Sequence, residues 1–267
     1  MFELVTKNVP FPKPYPGVTR KPPTVSDKGW DKVGGYTLRD KIDFIPQKGM
    51  QERVVACKSN LIFLCGESQM GKSYSMFLKA LNGVGKQGYT GRLISVRLQD
   101  SKKGSSIYRD AVEVMGNFGG CQYRSADYPT FNWPQWNNSV QLIHSNFNVE
   151  NLAEWEEFKD YAKKNQASYI GIDEGTEMKS FKMFAYWFSR NRDSSGMTPC
   201  MVMSFNFEHE HFTTTMLKDA GYIGDDWYFR PEMNGVTRYF YIKGDSEHDI
   251  IWGDTPEEVA ERANISI

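Results

Sequence analysis

Long apolar runs are missing from this sequence. No stretch reaches the roughly 18 apolar residues that a membrane-spanning helix needs. The start, MFELVTKNVPFPKPYP, is polar and proline-rich and lacks the apolar core of a secretory signal. Cysteine is sparse as well. Cys57, Cys65, Cys121 and Cys200 stand too far apart for a metal knuckle or a CxxC redox pair. Reduced thiols in a cytoplasmic protein are the simple expectation, with disulfides between distant pairs left open. Net charge is almost absent: 32 Lys and Arg against 33 Asp and Glu give -1. There are only 4 histidines. Two of them, in Glu208-His209-Glu210-His211, would share one side of an extended chain, but no third metal ligand is in view. Polar surface is the expected role for that run.

What is present fits a globular chain. With 267 residues, 40% hydrophobic and 24% charged, there is material for one large core, or a core plus an appendage. A fibrous, fully disordered or staple-dependent chain is excluded. The small net charge conceals two unlike halves. Residues 1–110 carry 19 basic and 9 acidic side chains; residues 111–267 carry 13 and 24. Such halves can attract one another within a fold, or present a basic face to a polyanion. Both readings stay open.

Along the chain, Pro10, Pro12, Pro14, Pro16, Pro22 and Pro23 make residues 1–47 an irregular N-terminal arm. A short helix is expected within 48–58, followed by an apolar strand at 60–65, a glycine-containing loop at 66–73 and a helix at 74–81. Strands are expected at 92–98, 139–147, 168–172, 200–205 and 238–243. Helices are expected at 106–115, 151–164, 181–190 and 256–263. Trp155, Phe158 and Tyr161 read as a core stripe on one of them. Residues 116–139, rich in Gly, Asn, Pro and aromatics, read as an insertion. There, Tyr128, Phe131, Trp133 and Trp136 are candidates for stacking on bases, with local packing as the plainer alternative. Strands alternating with helices predict an α/β chain around a mainly parallel sheet.

Gly66-Glu67-Ser68-Gln69-Met70-Gly71-Lys72-Ser73 matches G-x-x-x-x-G-K-[ST] in full. A chance match in a chain this long is on the order of 1% at average glycine usage. The apolar strand before it and the helix after it supply the right context. Backbone amides of such a loop surround phosphates, Lys72 would reach the β/γ-phosphates, and Ser73 would hold Mg²⁺. The helix N-terminus adds its own amides. An ordinary glycine turn with an exposed lysine is the bland alternative. Farther on, Tyr169-Ile170-Gly171-Ile172-Asp173-Glu174 ends an apolar strand in two acids. Asp173 fits a Mg²⁺-supporting carboxylate. Glu174 is placed to polarise an attacking water, which favours hydrolysis over transfer to a kinase acceptor. Lys72 and Asp173 are expected on neighbouring strand ends. Asn206, ending the next strand after Ser204-Phe205, could contact the γ-phosphate, or simply cap a turn.

The blocks KGMQE, GESQMGKS, YIGIDEGTEM, FAYWFSRNRDSSGMTPCMVMSFNF and GVTRYFYIKGDSEHDIIWGDTPEEV, in that order, resemble the ATPase domain of tailed-phage terminase large subunits, the DNA-packaging motors. The resemblance covers most of residues 48–260. It implies a P-loop NTPase of the ASCE type, with a mainly parallel central sheet flanked by helices. By the same likeness the ATPase domain spans 48–250, and 251–267 begin a linker toward a C-terminal nuclease domain that these residues do not contain. Gln51 would recognise adenine, Asp173 would coordinate Mg²⁺, Glu174 would be catalytic, and Ser204 and Asn206 would form the coupling motif. Phe207 departs from the family's usual proline. The family's loop arginine is missing from Glu67-Ser68-Gln69-Met70, leaving Arg97, Arg190, Arg192 or a neighbouring subunit as donors. The implied cofactors are ATP and Mg²⁺. The implied partners are double-stranded DNA, the portal protein, the small terminase subunit and further copies in a five-membered ring, with a monomer in isolation. The implied place is the host cytoplasm and, transiently, the portal vertex. A P-loop ATPase of another class, such as a DNA helicase or remodelling enzyme, is the main alternative. A nucleotide-binding assembly scaffold without turnover is the other.

Overall fold

A computed structural model of the chain describes residues 31–33, 36–38, 47, 49–67, 70–96, 105–124 and 128–266. The expected strands and helices are present, those at 181–190, 200–205 and 256–263 with the expected bounds and the others with shifted ends. A short hairpin joins β1 (Asp31–Val33) to β2 (Tyr36–Leu38), so the N-terminal arm is not wholly irregular. Helix α1 (Met50–Ala56) leads to β3 (Leu61–Cys65) and α2 (Lys72–Leu81). Then come β4 (Thr90–Ser95), α3 (Ser106–Gly116), β5 (Gln122–Arg124), β6 (Thr130–Trp133) and β7 (Asn138–His144). The second half contains α4 (Leu152–Lys164), β8 (Tyr169–Asp173), α5 (Phe181–Arg190) and β9 (Cys200–Phe205). It closes with α6 (Phe212–Asp219), β10 (Tyr239–Ile242), β11 (Ile250–Gly253) and α7 (Pro256–Ala263).

Seven strands form one sheet in the order β3-β9-β8-β4-β7-β6-β5. The five from β3 to β7 are parallel, and β6 and β5 extend the sheet antiparallel. The region read as an insertion at 116–139 therefore supplies two strands of the sheet. Phe131 and Trp133 of β6 are fully buried. Tyr128 stacks on His144 with ring centroids 5.1 Å apart. Packing, not base stacking, accounts for these three. The parallel strands also correct one expectation. β9 pairs with both β3 and β8, so the loop strand and the acid strand are separated by it rather than adjacent.

Because strand side chains alternate, each sheet face has its own core. Ile62, Leu64, Leu93, Leu142 and Val202 meet α1, α2 and α3 on one face. Leu61, Ile94, Ile170, Ile172, Met201 and Met203 meet α4, α5 and α6 on the other. Gly171 lets α2 lie close against β8. A Cβ there would fall 2.8 Å from Met76 Cγ and Sδ. On the second face Trp155, Phe158 and Tyr161 do form the stripe, packed with Tyr186 and Trp187 of α5. The β10–β11 hairpin adds Phe240 and Trp252 to the same core. β11 pairs with β10, and α7 follows it over Pro256–Ala263. Among the described residues no helix is long and apolar enough to cross a membrane.

Candidate functional site

The sheet places three strand ends side by side at one edge: β3 running into Gly66, β9 into Asn206, and β8 into Glu174. The loop after β3 turns into α2 at Gly71, whose φ of 75° is left-handed. A Cβ at Gly71 would also stand 2.9 Å from Gln51 Nε2. The left-handed φ favours glycine, and a Cβ there would push on the end of the Gln51 side chain. Gln51 itself is buried, with Oε1 accepting from the Gln47 N–H at 2.9 Å. The first turn of α2 carries no acidic residue to offset the positive end of its dipole. Ser68 and Gln69 lie outside the described residues, and Met70 is exposed.

Lys72 and Ser73 start α2 and point in different directions. The Lys72 ammonium donates to the carbonyls of Gly66 and Glu67, the latter at 2.9 Å, and to Asn206 Oδ1 at 2.7 Å. Burial lowers its pKa from the ordinary lysine value, with Cys65 and Asp173 opposing. Ser73 Oγ donates to both carboxylate oxygens of Asp173, at 3.0 and 3.1 Å. The Ser204 hydroxyl donates to Asp173 Oδ1 from the other side. Burial raises the Asp173 pKa, while Ser204, Ser73, the Glu174 N–H and Lys72 pull it down. The intervening strand is what permits this. β9 lies between β3 and β8, so Ser204 reaches Asp173 sideways and Asn206 reaches Lys72 beyond the strand end.

Glu174 follows with φ 51° and ψ 51° and is exposed. A left-handed glutamate is uncommon, and such strain gathers at functional positions. The turn parts the two acids: Asp173 faces the hydroxyls of Ser73 and Ser204, and Glu174 faces solvent. The oxygen set of Ser73, Asp173 and Ser204 suits a hard cation such as Mg²⁺. No cluster of three or more His, Cys, Asp or Glu suited to a metal occurs among the described residues. His209 packs tilted against Trp227, with ring centroids 4.0 Å apart, whereas His211 is buried. The two histidines of the Glu208–His211 run therefore face different surroundings, and His211 is not polar surface.

The arginine candidates do not join this group. Asn191, between Arg190 and Arg192, bonds the carbonyls of Ala167 and Ser168, and the Arg192 N–H bonds Ala167 O. Those carbonyls precede β8, at the end of the strand opposite to Asp173. Arg190 lies over the Tyr186 ring at 5.0 Å, and Arg192 Nε donates to Ser189 O at 3.1 Å. Within one chain both are a strand length, roughly 15 Å, from the loop. Arg97 lies outside the described residues.

Sequence reasoning missed one feature beside the loop. A cavity of about 430 Å³ opens between α1, the edge strand β3 and residues 222–236, reaching Cys65 and Gly66. Met50, Val54, Phe229 and Val236 give it apolar walls, and Arg53 and Arg230 also line it. Arg53 lies two residues beyond Gln51, but nothing in the sequence around Arg230 points to the loop.

No family model matches the chain, and no curated protein matches it. Among solved structures it is similar to the large terminase ATPase domain of Thermus phage P74-26 and to an arginine-to-alanine mutant of that domain. These align over 64% of this chain and 72% of the other, at 10–11% identity and a TM-score of 0.39. A large terminase from a thermophilic bacteriophage aligns over 55% of this chain and 33% of its own, at 10% identity and a TM-score of 0.40.

Proposed function

We propose that this chain binds ATP with Mg²⁺ and hydrolyses it as the motor domain of a large terminase, driving double-stranded viral DNA into a procapsid. The observation that carries the ATPase part is the pair of contacts converging on one edge of the sheet: Lys72 with Asn206, and Asp173 with Ser73 and Ser204. The strand lying between loop strand and acid strand supports the ASCE assignment, and the motif order named above supports terminase over a helicase or remodelling enzyme.

In this reading the loop amides from Gly66 to Ser73 and the N-terminus of α2 hold the phosphate chain. Phosphate oxygens compete with the Gly66, Glu67 and Asn206 oxygens for the Lys72 ammonium. Ser73 and Asp173, backed by Ser204, would hold Mg²⁺, which neutralises charge on the transferring phosphoryl group. The apolar cavity beside α1 takes the nucleoside, with Gln51 next to the loop. Glu174 orients a water and accepts its proton as the water oxygen bonds the γ-phosphorus. The bond from that phosphorus to the bridging oxygen breaks, and ADP leaves with the electron pair. Loss of the γ-phosphate returns Lys72 to Asn206, and the segment after β9 carries that change toward DNA.

Double-stranded DNA, the portal protein, the small terminase subunit and a five-membered ring of copies are the partners, in the host cytoplasm and at the portal vertex. Contacts would be to the DNA backbone rather than to bases, as translocation requires. Fluorescent-nucleotide titration tests the site. Lys72→Ala removes charge-assisted bonds and weakens Mg·ATP binding about tenfold to hundredfold. Stimulation of turnover by double-stranded DNA supports the motor. Tight binding without turnover supports the scaffold instead.

A further inference from the structure

Two segments leave the edge of the sheet bearing the residues assigned above: 174–178 after β8 and 206–211 after β9. One buried side chain joins them. His211 is 5% exposed. Its Nδ1 accepts the Thr213 N–H at 3.2 Å, capping α6, and lies 2.8 Å from Thr213 Oγ1. Its Nε2 lies 2.9 Å from Met178 O. A backbone N–H only donates and a carbonyl only accepts. Both contacts therefore hold together only in the neutral ring with its proton on Nε2.

Each end of this bridge leads directly into the site. Met178 closes the 3₁₀ turn that begins at Glu174: the Glu177 N–H bonds Glu174 O at 2.9 Å, and the Met178 N–H bonds Gly175 O at 3.0 Å. Gly175 is pressed on β9, where a Cβ would fall 2.5 Å from Met203 Cγ. On the other side, the His211 N–H bonds Glu208 O at 3.2 Å, and Thr214 Oγ1 donates to the same carbonyl at 2.7 Å. Two residues before Glu208 is Asn206, the partner of Lys72.

We infer that His211 is a positioning residue. Its imidazole locks the segment carrying Glu174 to the segment carrying Asn206 and so fixes the water-orienting carboxylate relative to the Lys72-held phosphate. The inference rests on the ATPase reading above. His211 touches none of the groups assigned to catalysis or binding.

The cap on α6 is sensitive to acid. Burial is the largest cause lowering the His211 pKa from 6.5; Lys179 adds to it, while the Met178 carbonyl, Glu208 and Glu247 oppose it. Lys179 in turn pairs with Glu208 at 3.4 Å. With the folded value below the unfolded one, the unfolded chain binds more protons in the window between them. This contribution to stability is complete above pH 6.5 and is lost as pH falls from there through the folded value. An imidazolium keeps its Nε2 proton on Met178 O but cannot accept the Thr213 N–H, so the cap opens as pH falls through the folded value.

Two variants separate cap from bridge. His211→Asn puts an amide oxygen near Nδ1 and keeps the cap, but is too short for Met178. His211→Gln puts an amide nitrogen near Nε2 and keeps the bridge, at the expense of the cap. Losing one hydrogen bond lowers kcat for Mg·ATP about fivefold to tenfold in His211→Asn, with KM within about twofold. His211→Gln holds kcat within about twofold of the parent. Equal losses in both variants, or losses that follow Tm, overturn the inference. Amide hydrogen exchange gives a readout that needs no hydrolysis. His211→Asn should speed exchange in 174–178 and 206–210 by a common factor; faster exchange confined to 211–215 overturns the bridge. A parent that turns over no ATP refutes the ATPase reading, and the exchange result then decides the bridge alone.

Discussion

Gly71 concentrates the constraints on the loop in one residue. Its φ of 75° strains any other residue, and a Cβ there, 2.9 Å from Gln51 Nε2, would displace the Gln51 side chain. Gly71→Ala is expected to cost about 1–2 kcal/mol from backbone strain. Relieving that strain shifts the loop, so Mg·ATP affinity falls about 5–30-fold. Calorimetry beside nucleotide titration checks both numbers; an unchanged affinity would mean that the amides near Gly71 do not face phosphate. Residues of this kind were legible in the sequence because the chemistry fixes both their type and their spacing. Lys72, Ser73 and Asp173 were named from such patterns, and the fold brings them together. Arg53 and Arg230 were not legible, because a cavity wall built from distant segments leaves no local pattern.

At the scale of elements, apolar runs and helical periods foretold most strands and helices, but not which strands lie side by side. Nothing in local sequence places β9 between β3 and β8, yet that order lets Ser204 reach Asp173 and Asn206 reach Lys72. Composition misled at 116–139 for a related reason. Its Pro, Gly and Asn punctuate short antiparallel strands, and its aromatics fill the core beneath them. Phe131 and Trp133 are fully buried, with Trp133 edge-on to Phe118 at 6.2 Å. Trp133→Ala is therefore expected to destabilise the fold by about 3–5 kcal/mol, while the DNA affinity of the remaining folded protein stays the same. Denaturant titration with a DNA-binding assay separates the two roles. Full stability with weakened DNA binding would restore the stacking reading. Helix α6 also escaped the sequence reading, its run of threonines hiding the period; its histidine cap shows only in three dimensions.

At the scale of the whole molecule, the two ends of the parallel sheet do different things. One end gathers Lys72, Ser73, Asp173, Glu174 and Asn206; the other holds the Asn191 side chain and the Arg192 N–H against the carbonyls before β8, with Arg190 next to them in the chain. A single chain cannot bring these arginines to its own loop without unpicking α5. Arg190→Ala and Arg192→Ala should thus leave Mg·ATP affinity of the isolated chain within about twofold, since each makes only exposed contacts. Any loss of turnover they cause should appear only at concentrations where copies associate, and a loss in dilute monomer would contradict this geometry. Hydrolysis of ATP at this edge of the sheet, as proposed, is measured by phosphate release from Mg·ATP by the parent protein and by Glu174→Gln, assayed together. Turnover is expected in the parent, with a fall of about 10²–10⁴-fold in the variant and nucleotide binding retained in both. Equal turnover in the two proteins, or none in a parent that binds nucleotide, would contradict it.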